Sequence, residues 1–172
     1  MRIFVFVLLL AALLASVSRA EEAVRIGVLS DMGGAYADAA GAGSVIAARL
    51  AVEDFGGAVL GRPVEILSAD HQNKPDVATA IARHWFDVDG VSMVTDLTNS
   101  AVAIAVQALA REKRKIDLVT STATTALTND ECSPYGVHWT FDSYALAAGT
   151  ARSLVAEGGR QYVGGSIRRG TT

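Results

Sequence analysis

Short runs of β-branched residues alternate along this chain with longer alanine-rich segments, and few folds tolerate that alternation. Parallel strands cannot be joined by tight turns and need crossover helices, so successive strand and helix units predict an α/β fold: an open parallel sheet with helices on both faces. VRIGVLS at Val24 to Ser30 predicts the first strand, VEILSA at Val64 to Ala69 the second, VSMVTD at Val91 to Asp96 the third and IDLVT at Ile116 to Thr120 the fourth. Between them, Val45, Ala48, Ala51, Val52 and Phe55 recur at helical spacing and predict a helix over Gly41 to Phe55. Asn73 can cap a helix from Lys74 or Pro75 to Phe86, where proline is tolerated in the first turn because its missing N–H would have no intrahelical partner. Thr98-Asn99-Ser100 leads into a helix over Ala101 to Glu112, and a further strand at Val137 to Phe141 and helix at Tyr144 to Glu157 follow.

The first twenty residues stand apart from this pattern. Met1-Arg2 is a short positive region, Ile3 to Leu14 an unbroken apolar run, and Ser18-Arg19-Ala20 supplies the small residues of a cleavage site, so residues 1–20 read as an export signal cut near Ala20. The apolar run is shorter than the about 20 residues a membrane-spanning helix needs. Without Arg2 and Arg19, 13 of the 15 basic residues remain against 18 acidic ones, a net charge of −5. A balance of that sign disfavours nucleic acid as a partner. Cys132, the single cysteine, has no internal disulfide partner, so an exported domain of this kind depends on its core.

Ligands of open parallel sheets bind at the carboxyl ends of the strands. That rule selects four loops: Asp31 to Tyr36, Asp70 to Asn73, Leu97 to Ser100 and Ser121 to Thr125. The last two are rich in hydroxyls and small residues, which suits an anionic head group such as a carboxylate at a helix N-terminus. The same residue types also cap helices and close turns. Gly33-Gly34 is followed by Ala35-Tyr36 and Gly41-Ala42-Gly43 lacks a third glycine, so no dinucleotide fingerprint is present. Neither a phosphate-binding G-x-x-x-x-G-K-[ST] loop nor a G-x-S-x-G nucleophile turn occurs. His71, His84 and His138 are scattered without metal-ligand spacing. His71 reads as a solvated loop residue, His84 as partly packed beside Trp85, and Asp31 and Asp70 as turn or cap residues. No catalytic pair, cofactor or metal is expected.

Four segments together resemble the leucine/isoleucine/valine-binding protein family, the type I periplasmic solute-binding proteins of branched-chain amino acid ABC transporters. They are IGVLSDMGGAYAD at Ile26 to Asp38, AVEDFGGAVLGRPVEILSADHQNKPDVA at Ala51 to Ala78, TNSAVAIAVQALAREK at Thr98 to Lys113, and CSPYGVHWTFDSYALAAGTA at Cys132 to Ala151. The resemblance implies two α/β lobes closing on a ligand, with residues 21–141 as lobe 1 and residues 142–172 as the crossover and start of lobe 2. It implies that Ser100 and the loop Thr122, Ala123, Thr124 hold the ligand's carboxylate and, for an amino acid, its ammonium through backbone carbonyl. Thr122 stands where the family commonly has alanine or glycine. Tyr36 corresponds to a loop position lining the side-chain end of the pocket, and Tyr144 lies where the chain crosses to the second lobe.

The expectation is therefore a monomeric, periplasmic substrate-binding protein that delivers branched-chain amino acids or related small carboxylates to membrane permease subunits. It is not expected to be an enzyme. The DHQNK and HWTFD segments are similar to those of family members taking aromatic acids, and a ligand-sensing receptor or regulator on the same fold is a further alternative. Gly164 to Thr172 lacks strand periodicity and departs from the family, which predicts a frameshift, premature stop or truncated reading, and weak binding by a single lobe.

Overall fold

A computed structural model describes residues 22–158. The apolar run at Ile3 to Leu14, the cleavage site at Ala20 and the tail at Gly164 to Thr172 lie outside them. The described chain runs β1 (Val24–Ser30), α1 (Gly41–Asp54), β2 (Ala58–Val59), β3 (Arg62–Asp70), α2 (Pro75–Asp87), β4 (Val91–Asp96), α3 (Ser100–Lys113), β5 (Ile116–Val119), a 3-10 turn (Thr125–Thr128), β6 (Gly136–His138) and α4 (Ser143–Ala156). One six-stranded sheet has the order β2-β3-β1-β4-β5-β6. All its pairings are parallel except that of β2 with β3.

That antiparallel pair was not anticipated. Leu60 and Gly61 both have positive φ, 53° and 78°, the backbone that suits a two-residue hairpin turn, and they fold Ala58–Val59 back onto Arg62–Pro63. A second correction concerns Asn73, which does not cap α2. The cap position is Lys74, with Pro75 opening the helix, while Asn73 sits at φ 57° and turns its side chain to Asp31. Asn99 does cap α3, accepting from Ala101 N at 2.8 Å and Val102 N at 3.2 Å.

The two sheet faces are filled differently. On one, α2 and α3 pack together over Leu29, Val94 and Val119, burying Ala78, Ala82, Trp85, Phe86, Val102, Ala103 and Val106 in one cluster. The other carries α1, which leaves a groove of about 450 Å³ lined by Ile26, Ile66, Met93, Leu118, Val52 and Phe55 among others. Phe55 is exposed there, Ile46 and Leu50 are exposed elsewhere on α1, and α4 buries none of its residues.

Gly27 lets the α2 face close. An added Cβ would overlap the Cζ3 and Cε3 atoms of Trp85, whose ring stands against the strand at this point. Gly27→Ala is therefore expected to cost about 1–3 kcal/mol, the usual range for an overpacked core. The measurement is a lower urea midpoint at unchanged slope.

Candidate functional site

The strand order reverses on either side of β1: β3 continues one way and β4 the other. Such a switch point splits the loops at the carboxyl edge and opens a crevice between them. The loops after β1 and β3 form one wall. Asp31, fully buried, accepts from Gly34 N and Tyr36 N at 2.9 Å each and from the Asn73 amide. The Tyr36 N–H, helped by Asn73 and Gly34, holds its carboxyl below the usual range against the opposing effect of burial. Asp70 accepts from Met32 N at 3.2 Å and Gln72 N at 2.7 Å. Both aspartates are thus turn residues, as their positions predicted.

His71 departs from the expectation of a solvated loop residue: it is fully buried. Its Nδ1 accepts from Asn73 N at 3.0 Å, so Nε2 carries the hydrogen toward Thr98 Oγ1 at 3.1 Å. Burial lowers its pKa, against the nearby carboxylates of Asp31, Asp70 and Asp96, and favours the neutral ring. His84 differs the other way, with a largely exposed side chain 3.6 Å from Asp89. Cys132 is an exposed free thiol.

The second wall lies at the ends of β4 and β5, which are neighbours in the sheet. Ser100 Oγ, in the first turn of α3, lies 2.7 Å from Thr122 Oγ1. His138 Nε2 stands 2.7 Å from the Thr122 carbonyl oxygen. The Ala123 carbonyl accepts from both Ser143 N and Ser143 Oγ at 2.8 Å. Thr124 Oγ1 caps the 3-10 turn by accepting from Ala126 N at 3.3 Å.

Ser100, Thr122, Ala123 and Thr124 therefore come together beside the N-terminus of α3. Tyr36 and Tyr144 do not join them by any hydrogen bond among the described residues. Tyr36 is partly exposed on the β1 loop, and Tyr144 shares a depression with Thr125, Thr128, Asn129 and Asp142. Asp96, which borders this candidate site, was not among the expected site residues. Its Oδ1 accepts from Thr120 Oγ1 at 3.2 Å and Ser121 Oγ at 2.5 Å, which ties down the start of the β5 loop. Asp96 and Leu97 both hold positive φ, 84° and 59°, a strained backbone of the kind that concentrates at functional sites. Its place as the last residue of β4 was the available signal.

Comparison with known proteins gives a consistent result. The family model described as periplasmic binding protein matches residues 23–164. A periplasmic binding protein from Burkholderia mallei is similar at 44% identity and TM-score 0.76, over 80% of this chain and 37% of that one. A branched-chain amino acid ABC transporter periplasmic ligand-binding protein from Burkholderia xenovorans is similar at 43% identity and TM-score 0.76, over 78% of this chain and 36% of that one. An ABC transporter solute-binding protein from Rhodopseudomonas palustris, solved with 4-hydroxybenzoate, matches at 25% identity and TM-score 0.68, over 80% of this chain and 37% of that one. The chain thus spans little more than a third of the length of these relatives. A search of curated proteins finds no match.

Proposed function

The chain belongs to the periplasmic binding protein family, and from that premise we propose that it binds a small carboxylate for delivery to the permease subunits of an ABC transporter. The observation that carries this reading is the hydroxyl pair Ser100 and Thr122 at the α3 N-terminus. An anion there gains hydroxyl donors and the positive end of the helix dipole together. On this reading residues 21–141 form one lobe, residues 142–172 begin the crossing to a second, and residues 1–20 direct export to the periplasm. Tyr36 and Tyr144 would flank the far end of the ligand.

One observation favours an acid without an ammonium group. Both lone pairs of the Ala123 carbonyl are engaged by Ser143, which leaves that oxygen no capacity for an amino-acid ammonium. An aromatic acid is then a better ligand than leucine.

Titration of the full chain with 4-hydroxybenzoate and, separately, L-leucine should distinguish these, read by amide NMR shifts. Expected are shifts at Ser100 and Thr122 to Thr124, larger for the aromatic acid. Ser100→Ala should weaken binding about tenfold to a hundredfold, the effect of losing a hydrogen bond to a charged group. Shifts elsewhere, or an affinity indifferent to that substitution, would remove the carboxylate site.

A further inference from the structure

Asp117 lies in the middle of β5, fully buried, and among the described residues neither of its carboxylate oxygens has a hydrogen-bond partner from another residue. A buried orphan carboxylate is costly, and in a native fold it calls for an explanation. Gln107 of α3, also buried, donates from Nε2 to Leu127 O at 3.2 Å and Glu131 O at 2.6 Å. Those two bonds fix the amide, so its Oε1 points the opposite way. A Cβ on Gly136 would lie 2.6 Å from Gln107 Oε1 and 3.3 Å from Asp117 Oδ2, so both oxygens face the same small space over Gly136. Two acceptors facing one small space repel unless a hydrogen stands between them.

We propose that Asp117 in its neutral form is a positioning residue, whose hydroxyl donates to Gln107 Oε1 and thereby holds the segment from Thr122 to Glu131 in its ligand-receiving shape. The chain of contacts is Asp117 to Gln107, Gln107 to the Leu127 and Glu131 carbonyls, and from the 3-10 turn to Thr124, whose hydroxyl caps that turn. Ionisation of Asp117 sets two oxygens against each other and loosens the far end of this chain. Its consequence for ligand rests on the carboxylate-binding reading; its consequence for the loop does not.

Among the described residues no ion pair reaches Asp117 from an adjoining element. Arg111 and Lys113 on α3 bind Cys132 O and Asp87, His138 on β6 binds Thr122 O, and Asp96 on β4 binds Thr120 and Ser121. From the 125–131 segment, Glu131 presents its carbonyl oxygen to Gln107. With no charge to counter it, burial pushes the carboxyl up to about 7. The switch therefore falls near neutral pH: bound proton and ordered loop below, ionised group and loosened loop above.

The test is hydrogen-exchange protection of the amides of residues 122–131 in the full chain at pH 6 and pH 8.5, corrected for intrinsic exchange. Protection should fall about tenfold in the wild type, the effect of one unit of difference in pKa between the ordered and loosened loop. Asp117→Asn, whose amide can donate to Gln107 Oε1 at any pH, should stay at the low-pH value throughout. Gln107→Leu should be poorly protected at both. A wild-type fall that persists in Asp117→Asn, or full protection in Gln107→Leu, overturns the assignment. Affinity for 4-hydroxybenzoate is measured in parallel. A titrating loop without carboxylate binding would defeat the functional reading and leave the positioning role standing; binding with a loop that does not respond would do the reverse.

Discussion

Trp85→Ala will lower the unfolding free energy by about 3–5 kcal/mol, the cost of emptying a large aromatic site in a close-packed core. Trp85 is nearly buried at the end of α2, where its ring covers Gly27 of the central strand and joins the cluster of Phe86, Ala82 and Leu29. Since domains are stable by only about 5–15 kcal/mol, this one change removes a large share of the total. Urea unfolding measures it. The pairing with Gly27 sharpens the test: in the Trp85→Ala background, Gly27→Ala should lose most of its own cost, because its methyl would enter the space the ring has left. Additive costs for the two changes would show that Trp85 does not stand against Gly27.

The second large effect depends on pH. Folding raises the Asp117 carboxyl from 3.8 to about 7, through burial opposed only by the influence of its own backbone N–H. A folded-state value above the unfolded one means that the native state holds the proton more tightly, so stability falls as pH rises from about 4 to about 7 and is level beyond. Each unit corresponds to about 1.4 kcal/mol, so the group costs on the order of 4 kcal/mol at pH 8. Asp117→Asn cannot ionise and escapes that cost. Relative to the wild type, it should gain little between pH 3 and pH 4 and on the order of 4 kcal/mol by pH 8. Denaturant melts of both proteins across that range measure the difference; parallel curves would place the Asp117 carboxylate in water or beside a cation.

Strand and helix positions were legible wherever a run was long enough to show its period. Val24–Ser30 and Val91–Asp96 match the expected strands end to end, and α1 to α4 lie within a residue or two of their expected limits. Two of the loops selected by the strand-end rule do meet, since Ser100 and Thr122 come into contact once β4 and β5 are neighbours. The β2 hairpin was not legible, because two residues carry no periodicity and the turn rests on Leu60, a residue uncommon at positive φ. Asn73 and His71 were misplaced for a shared reason. Their partners, Asp31 and Thr98, are distant in sequence and reach them only when β3 and β4 flank β1. Asp117 lay inside the expected fourth strand, and nothing in IDLVT announces Gln107 or Gly136 beside it.

The unequal filling of the two sheet faces has a calorimetric consequence. Apolar groups lining the groove under α1, and those along α4, are already partly wetted in the folded chain, so melting hydrates them less than it would a closed core. Newly wetted apolar area is what makes the heat capacity of unfolding large and positive. That increment should accordingly fall below the about 12–15 cal/mol/K per residue common to globular domains, and the plot of stability against temperature should be a low, broad dome.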